Sequence, residues 1–230
     1  MSKVLLIDDD RDLVDLIRYA FQREGHTVAT AFDGEAGVRA FQAEKPDLVV
    51  LDVTMPRRTG MEALKEIRAS SSVPIIMLSA LGDEEHVVTA LHLGADDYIA
   101  KPFRPRELLV RAQTQLRHGA ERAPATGKNR KLLTLGAVTL DSAKHAVTVA
   151  GAPVQLSRTE FSLLHYLMIN ANVTVSVASI IANVWGYQAD ENDEVVKVTI
   201  SRLRRKIEPN VSEPRWIVNV PGVGYRFEAE

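Results

Sequence analysis

Apolar and polar positions follow one rhythm up to residue 118 and another after residue 131. In the first stretch, short apolar runs trade with segments of helical spacing. The runs Val4–Ile7, Leu48–Leu51 and Pro74–Leu78 carry no polar alternation. That pattern fits strands covered on both faces, as in a parallel sheet. Thr27–Ala31 and Tyr98–Ala100 add two more strands. Between them, Leu13, Leu16, Ile17, Ala20 and Phe21 recur at helical spacing within Asp12–Glu24, and Gly25 supplies a C-cap. Ala36, Val38, Ala40 and Phe41 mark a second helix, and Met61, Leu64 and Ile67 a third. His86–Leu93, closed by Gly94, is the fourth, and Arg104–Arg117 the fifth, with Leu108, Leu109, Ala112 and Leu116 inward. Five β–α units with short connections predict a doubly wound parallel α/β sheet.

Residues 119–131 hold Gly, Pro and charge without apolar periodicity, and read as a linker. Domains are therefore expected over 1–118 and 132–230. In the second, Val138–Leu140, Ala146–Val149 and Val154–Leu156 are short strands. Ser157-Arg158-Thr159-Glu160 is a capping box that opens a helix with Phe161, Leu164, Leu167 and Met168 inward. Val177–Trp185 and Glu194–Glu208 follow as helices. Trp216–Val220 and Tyr225–Phe227 flank a hairpin tip, Pro221-Gly222-Val223-Gly224. Three helices and a hairpin in that order predict an α+β winged helix-turn-helix.

Composition narrows the class. At 230 residues, with 46% hydrophobic and 25% charged residues, the chain suits two globular domains. The absence of cysteine excludes disulfides and thiolate metal sites. The start runs straight into a strand-like segment, without the apolar region of a signal peptide, and no apolar run is long enough to span a membrane. A cytoplasmic location with no membrane partner is the expectation. Net charge is −2, split as 15 Lys/Arg against 19 Asp/Glu in residues 1–118 and 13 against 11 in the remainder. That asymmetry is mild, so the placement of the cations matters more than their number.

Candidate chemistry gathers at strand ends. Asp52 follows Leu48–Leu51 and precedes the loop Val53-Thr54-Met55-Pro56. Alone, it also fits an Asp that begins a turn. Asp8 and Asp9, Ser79 and Lys101 stand at the carboxyl ends of the first, fourth and fifth strands, however, and in this architecture those ends converge on one edge. Asp10 fits the N-cap of the first helix. Three converging carboxylates need a divalent cation or a raised pKa on one of them. An all-oxygen set suits Mg²⁺ (or Mn²⁺). Asp52 would then attack phosphorus as a nucleophile, with Lys101 and Ser79 on phosphoryl oxygens.

At this point the chain resembles the OmpR/PhoB family of two-component response regulators. The motifs are Ile7-Asp8-Asp9, Leu51-Asp52-Val53-x-Met55-Pro56, Leu78-Ser79-Ala80 and Gly94-Ala95-Asp96-Asp97-Tyr98-x-x-Lys101-Pro102-Phe103. Later ones are Thr159-Glu160-Phe161, Val184-Trp185-Gly186, Ser201-Arg202-Leu203-Arg204-Arg205-Lys206 and Gly222-Val223-Gly224-Tyr225-Arg226. The resemblance implies strand order 2-1-3-4-5 in the receiver and phosphoryl transfer to Asp52 from a sensor histidine kinase. It implies a cation held by Asp8, Asp9, Asp52 and the Thr54 carbonyl, a Ser79/Tyr98 switch pair and a cis Lys101–Pro102 peptide. It further implies phosphorylation-driven pairing through the fourth helix, fifth strand and fifth helix, binding to promoter direct repeats, and RNA polymerase as a further partner. The pairing charges are only partly kept: Asp97 and Arg111 match, but His92, Gln113 and Val87 (opposite Glu107) depart from the pattern. Pairing is expected to be weaker than usual.

For DNA, Val196, Ile200, Leu203 and Ile207 lie at i, i+4, i+7 and i+11 and predict the inward face of the third helix of the second domain. Lys197, Ser201, Arg202, Arg204 and Arg205 are expected on the opposite face, and with Thr199 form the candidate DNA contacts. Glu194 and Pro221 replace arginines common in the family, which lowers the share expected of the wing. Two rival functions remain. One is an aspartate-nucleophile phosphatase, which normally carries Asp-x-Asp where this chain has Asp52-Val53-Thr54. The other is a phosphorylation-independent DNA-binding protein that uses the first domain only to dimerise.

Overall fold

The computed structural model describes residues 1–80, 84–120, 132–187 and 194–229. It divides into two compact units, Met1–Leu116 and Arg117–Glu230. The first alternates β1 (Lys3–Ile7), α1 (Arg11–Arg23), β2 (Thr27–Ala31), α2 (Gly34–Glu44), β3 (Leu48–Asp52), α3 (Gly60–Ser70), β4 (Ile75–Ala80), α4 (Glu84–Leu93), β5 (Asp97–Lys101) and α5 (Pro105–Ala120). The strands are all parallel, in the order β2-β1-β3-β4-β5. The (βα)5 fold and its strand order agree with the sequence reading. The expected linker overlaps α5 at residues 119 and 120, and residues 121–131 lie outside the described residues.

The central strand β3 is buried along its whole length, so both faces of the sheet must be covered. Val4, Leu6, Leu48, Val50, Ile76, Leu78 and Ile99 pack with Ile17 and Phe21 of α1 and Leu108, Ala112 and Leu116 of α5. The alternate residues Leu5, Ile7, Val49, Leu51, Ile75 and Met77 are equally buried, as the two-residue period of a strand requires. α1 starts where Asp10 accepts the amide hydrogens of Asp12 and Leu13, and α3 starts in a capping box of Thr59 and Glu62. Arg68 fastens the far end of α3 by donating to the carbonyls of Gly94 and Val73 and to the buried Asp96 carboxylate. Gly60 marks a close approach. A Cβ there would lie 1.8 Å from the Asp52 carbonyl oxygen, so the loop after β3 folds directly back onto that strand end.

The second unit opens with the antiparallel sheet β6 (Leu132–Leu135), β7 (Val138–Asp141), β8 (Ala146–Val149) and β9 (Ala152–Val154). Then come α6 (Arg158–Ile169), β10 (Val175–Ser176), α7 (Val177–Ile180, continued as a π-helical turn over Ile181–Trp185) and α8 (Glu194–Ile207). β11 (Ile217–Val220) and β12 (Gly224–Phe227) form the wing, and β12 also pairs with β10. Gly224 is required there, because a Cβ would meet the Val175 carbonyl oxygen at 2.0 Å. β6 and β10 were not expected from the sequence. The winged-helix architecture was.

Candidate functional site: an acidic strand edge and a basic helix

The carboxyl ends of β1, β3, β4 and β5 bring Asp8, Asp9, Asp52, Ser79 and Lys101 to the same edge of the sheet. Register explains it: Ile7 lies beside Leu51, Asp52 beside Leu78, and Ser79 beside Ala100. Asp8, Asp9 and Asp52 each present a carboxylate oxygen, all within 4.8 Å of one another. Asp8 and Asp52 are buried, whereas Asp9 is exposed. Asp8 is oriented by the Asp10 amide hydrogen at 2.9 Å. The Lys101 ammonium lies 2.7 Å from Asp8 and 3.0 Å from Asp52. Asp8 and Asp52 therefore share one cation at close range, with the Asp9 carboxylate beside them.

That imbalance is visible in the protonation of Asp52. Burial, reinforced by repulsion from Asp8, pushes its carboxyl up to about 6, against the opposing pull of Lys101. Burial draws Lys101 down, but its bonds to Asp8 and Asp52 outweigh that and leave it raised. The donor set fits a hard divalent cation: oxygen ligands only, excess negative charge, and one exposed side. The Ser79 hydroxyl is buried and has no hydrogen-bond partner among the described residues, so its bonding capacity is open at this edge. Thr54 follows in the loop with an exposed side chain, Tyr98 is half-buried on β5, and the Lys101–Pro102 peptide is cis.

On the α4–β5–α5 face, Arg111 is engaged within its own chain. Its guanidinium lies 3.1 Å from Asp97 and 2.8 Å from Glu107, and donates to the Tyr98 carbonyl at 3.2 Å. His92 and Gln113 are exposed, whereas Val87 is buried and belongs to the core.

In the second unit α8 buries more than one stripe. Val196, Ile200, Leu203 and Ile207 are inward as expected, but so are Val195, Val198, Thr199 and Arg202. This corrects the expectation that Arg202 shares the open face. Arg202 is 9% exposed, with its guanidinium 3.1 Å from Glu160 of α6. Thr199 is likewise buried, and its hydroxyl has no hydrogen-bond partner. Arg204 is half-buried and donates to the Ile217 carbonyl through Nε at 3.0 Å and Nη2 at 2.7 Å. The physical reason is shared by all three: α8 sits between α6 and the wing, so residues on either flank of its core stripe meet protein. Lys197, Arg205 and Lys206 stay exposed, and half-buried Ser201 completes the open stripe with Lys197 and Arg205 at i, i+4 and i+8.

One buried carboxylate that orders the entry to the wing was not expected from the sequence. Glu208, buried just past α8, accepts the amide hydrogens of Arg215, Trp216 and Ile217 at 2.8, 3.0 and 2.8 Å. An anion at a helix C-terminus opposes the helix dipole, so it needs such donors. With Arg204 one turn earlier, it grips the Ile217 peptide from both sides.

A parallel sheet with this acidic edge, followed by a winged helix, defines a two-module regulator. The family model "Response regulator receiver domain" matches residues 4–113, and "Transcriptional regulatory protein, C terminal" matches residues 151–227. The chain belongs to the response regulators, with a receiver joined to an OmpR/PhoB-type DNA-binding domain. It is similar over the full length of both chains to DrrB, a Thermotoga maritima OmpR/PhoB homolog, at 29% identity and a TM-score of 0.51. It also matches the receiver domain of a Francisella response regulator at 33% identity and a TM-score of 0.50, over 52% of this chain and 99% of that one. A RitR mutant shares the fold over both full chains, at 21% identity and a TM-score of 0.74. The two domains together make this a two-component transcription factor; its receiver implies a histidine kinase partner and its C-terminal domain implies DNA. No helix among the described residues is long and apolar enough to cross a membrane.

Proposed function

We propose that DNA binding by this chain is controlled by phosphorylation of Asp52 from a phosphohistidine of a sensor histidine kinase. The convergence of Asp8, Asp9 and Asp52 with Lys101 at one sheet edge carries this reading. An Asp52 carboxylate oxygen attacks phosphorus; the P–N bond to the kinase imidazole breaks, and its electron pair stays on the nitrogen. Lys101 shifts from Asp52 to a phosphoryl oxygen, and the open Ser79 hydroxyl donates to another. Mg²⁺ (or Mn²⁺), held by Asp8, Asp9, Asp52 and the Thr54 carbonyl, supplies neutralisation of the phosphoryl charge. The chain is a phosphoacceptor that hydrolyses its own acyl phosphate rather than a turnover enzyme.

Engagement of Ser79 lets Tyr98 turn inward, and the face carrying His92, Asp97, Glu107 and Arg111 then pairs two copies. That pairing is weak by family standards, because His92, Gln113 and Val87 break two of the three charged pairs and leave only Asp97 and Arg111 matching. The dimer sets two α8 helices on direct repeats in promoter DNA, with RNA polymerase as a further partner, in the cytoplasm.

Intact mass after incubation with Mg²⁺ and acetyl phosphate tests the reading. A phosphoryl-sized gain is expected for the wild type and none for Asp52→Ala. No gain in the wild type, even with a cognate kinase, returns the chain to phosphorylation-independent DNA binding. Sedimentation of the activated form tests the pairing, since a dimer tight below micromolar concentration contradicts the weakening.

A further inference from the structure

Glu160 is fully buried and is shared by three groups. Its Oε2 accepts the Ser157 amide hydrogen at 2.8 Å and the Lys206 ammonium at 2.6 Å. Its Oε1 is held by Arg202, with Nε and Nη2 each at 3.1 Å. One carboxylate thus carries two cations, one on each oxygen, from positions one turn apart on α8. A buried carboxylate needs a counter-ion, and one is enough.

The two cations are not equivalent. Arg202 adjoins Ser201 of the open stripe, and its planar fork matches a guanine edge or a phosphate. Lys206 sits in the last turn with 38% of its side chain exposed. It is a point charge on a flexible stem, able to serve both oxygens of Glu160.

We propose that Glu160 and Lys206 are positioning residues that make Arg202 a conditional DNA contact. In the free protein Glu160 stores the Arg202 guanidinium against α6. On DNA, Arg202 turns out to a guanine or phosphate, and Lys206 stays behind as the counter-ion of Glu160. The exchange breaks the contacts that hold the guanidinium in place, those to Oε1 among them, makes new ones to DNA and moves no proton. Without Lys206 the same turn would leave a buried carboxylate unpaired, which costs more than one DNA contact returns. This rests on α8 being the recognition helix.

The test uses the full chain and a duplex enriched from a random-sequence pool by the wild-type protein. Arg202→Ala should lose roughly five- to 150-fold in affinity, the range for one guanine-reading arginine. Lys206→Met should lose a similar factor although Arg202 is intact. Glu160→Gln should bind at least as tightly as wild type and should restore binding to Lys206→Met, because a neutral amide no longer retains the guanidinium. Glutamine still completes the capping box. As a check independent of that variant, the Arg202 Nε–H resonance should move on DNA addition in the wild type and stay fixed in Lys206→Met. A Lys206→Met loss that Glu160→Gln leaves untouched overturns the proposal, since Lys206 would itself touch DNA. Wild-type affinity in Arg202→Ala, or a DNA-insensitive Arg202 resonance in the wild type, also overturns it. If Lys197→Ala and Arg205→Ala bind normally as well, the failed claim is the assignment of α8 as the reading element.

Discussion

The receiver edge and the Glu160 cluster of the winged helix hold their charges in opposite proportion. At the receiver edge Lys101 is paired with Asp8 and Asp52 while Asp9 lies beside them, whereas in the winged helix one carboxylate, Glu160, holds Arg202 and Lys206. The first cluster is short of positive charge, and burial together with repulsion from Asp8 pushes the Asp52 carboxyl up to about 6. The second sets two cations on one carboxylate. Counting charges separates their uses better than counting salt bridges. A deficit of cations marks a place that accepts one, and a surplus marks a place that can give one to a polyanion.

The sharpest way to break the contrast is to delete Glu160. Glu160→Ala leaves two cations facing a buried gap, and about 3–5 kcal/mol of stability should go. Urea unfolding followed by Trp185 and Trp216 reads this cleanly, since both tryptophans of the chain lie in the second unit. Glu160→Gln should cost far less, and equal losses for the two variants would show that charge surplus is irrelevant there.

Gly60→Ala comes next. Its methyl would sit against the Asp52 carbonyl, so the receiver should lose about 1–3 kcal/mol by calorimetry, and phosphoryl incorporation should fall.

Asp52→Asn should go the other way in metal-free buffer. The Asp52 pKa is raised in the fold, so its contribution is fully favourable below its ordinary value of 3.8 and is lost as pH rises through about 6. Above that pH the amide should stabilise the receiver by about 1–2 kcal/mol, reduced for solvent at the open edge, and the gain should vanish toward pH 4. A gain constant across pH would mean that the raised Asp52 pKa is not its cause. The smallest effect concerns α8: Thr199→Val removes a buried hydroxyl without a partner and should raise stability by up to about 1 kcal/mol in the same tryptophan-detected assay.

Much of the receiver was legible because its signals are local. Apolar runs, Gly25 and the Asp10 cap fix the elements, and strand-end positions bring Asp8, Asp52, Ser79 and Lys101 together once the sheet is parallel. The winged helix was harder to read. The stripe Val196–Ile200–Leu203–Ile207 has a clear period, but a helix packed on two sides has a second buried stripe. Val195, Val198 and Arg202 form it at i, i+3 and i+7; the two valines were the available signal, and a terminal arginine disguised it. Glu208 was invisible because its partners are backbone amide hydrogens, which no side-chain pattern encodes. β10 is too short, at two residues, to declare a period.

The grip on the Ile217 peptide also bears on how this helix can diversify. Four positions of α8 and its end are read by fixed points: Arg202 and Lys206 by Glu160, and Arg204 and Glu208 by Ile217. Inserting one residue ahead of them would swing all four by about 100°. The recognition helix therefore behaves as a keyed shaft. New DNA preferences can be written by exchanging Lys197, Ser201 or Arg205, while a change in helix length would undo the lock before any base was met.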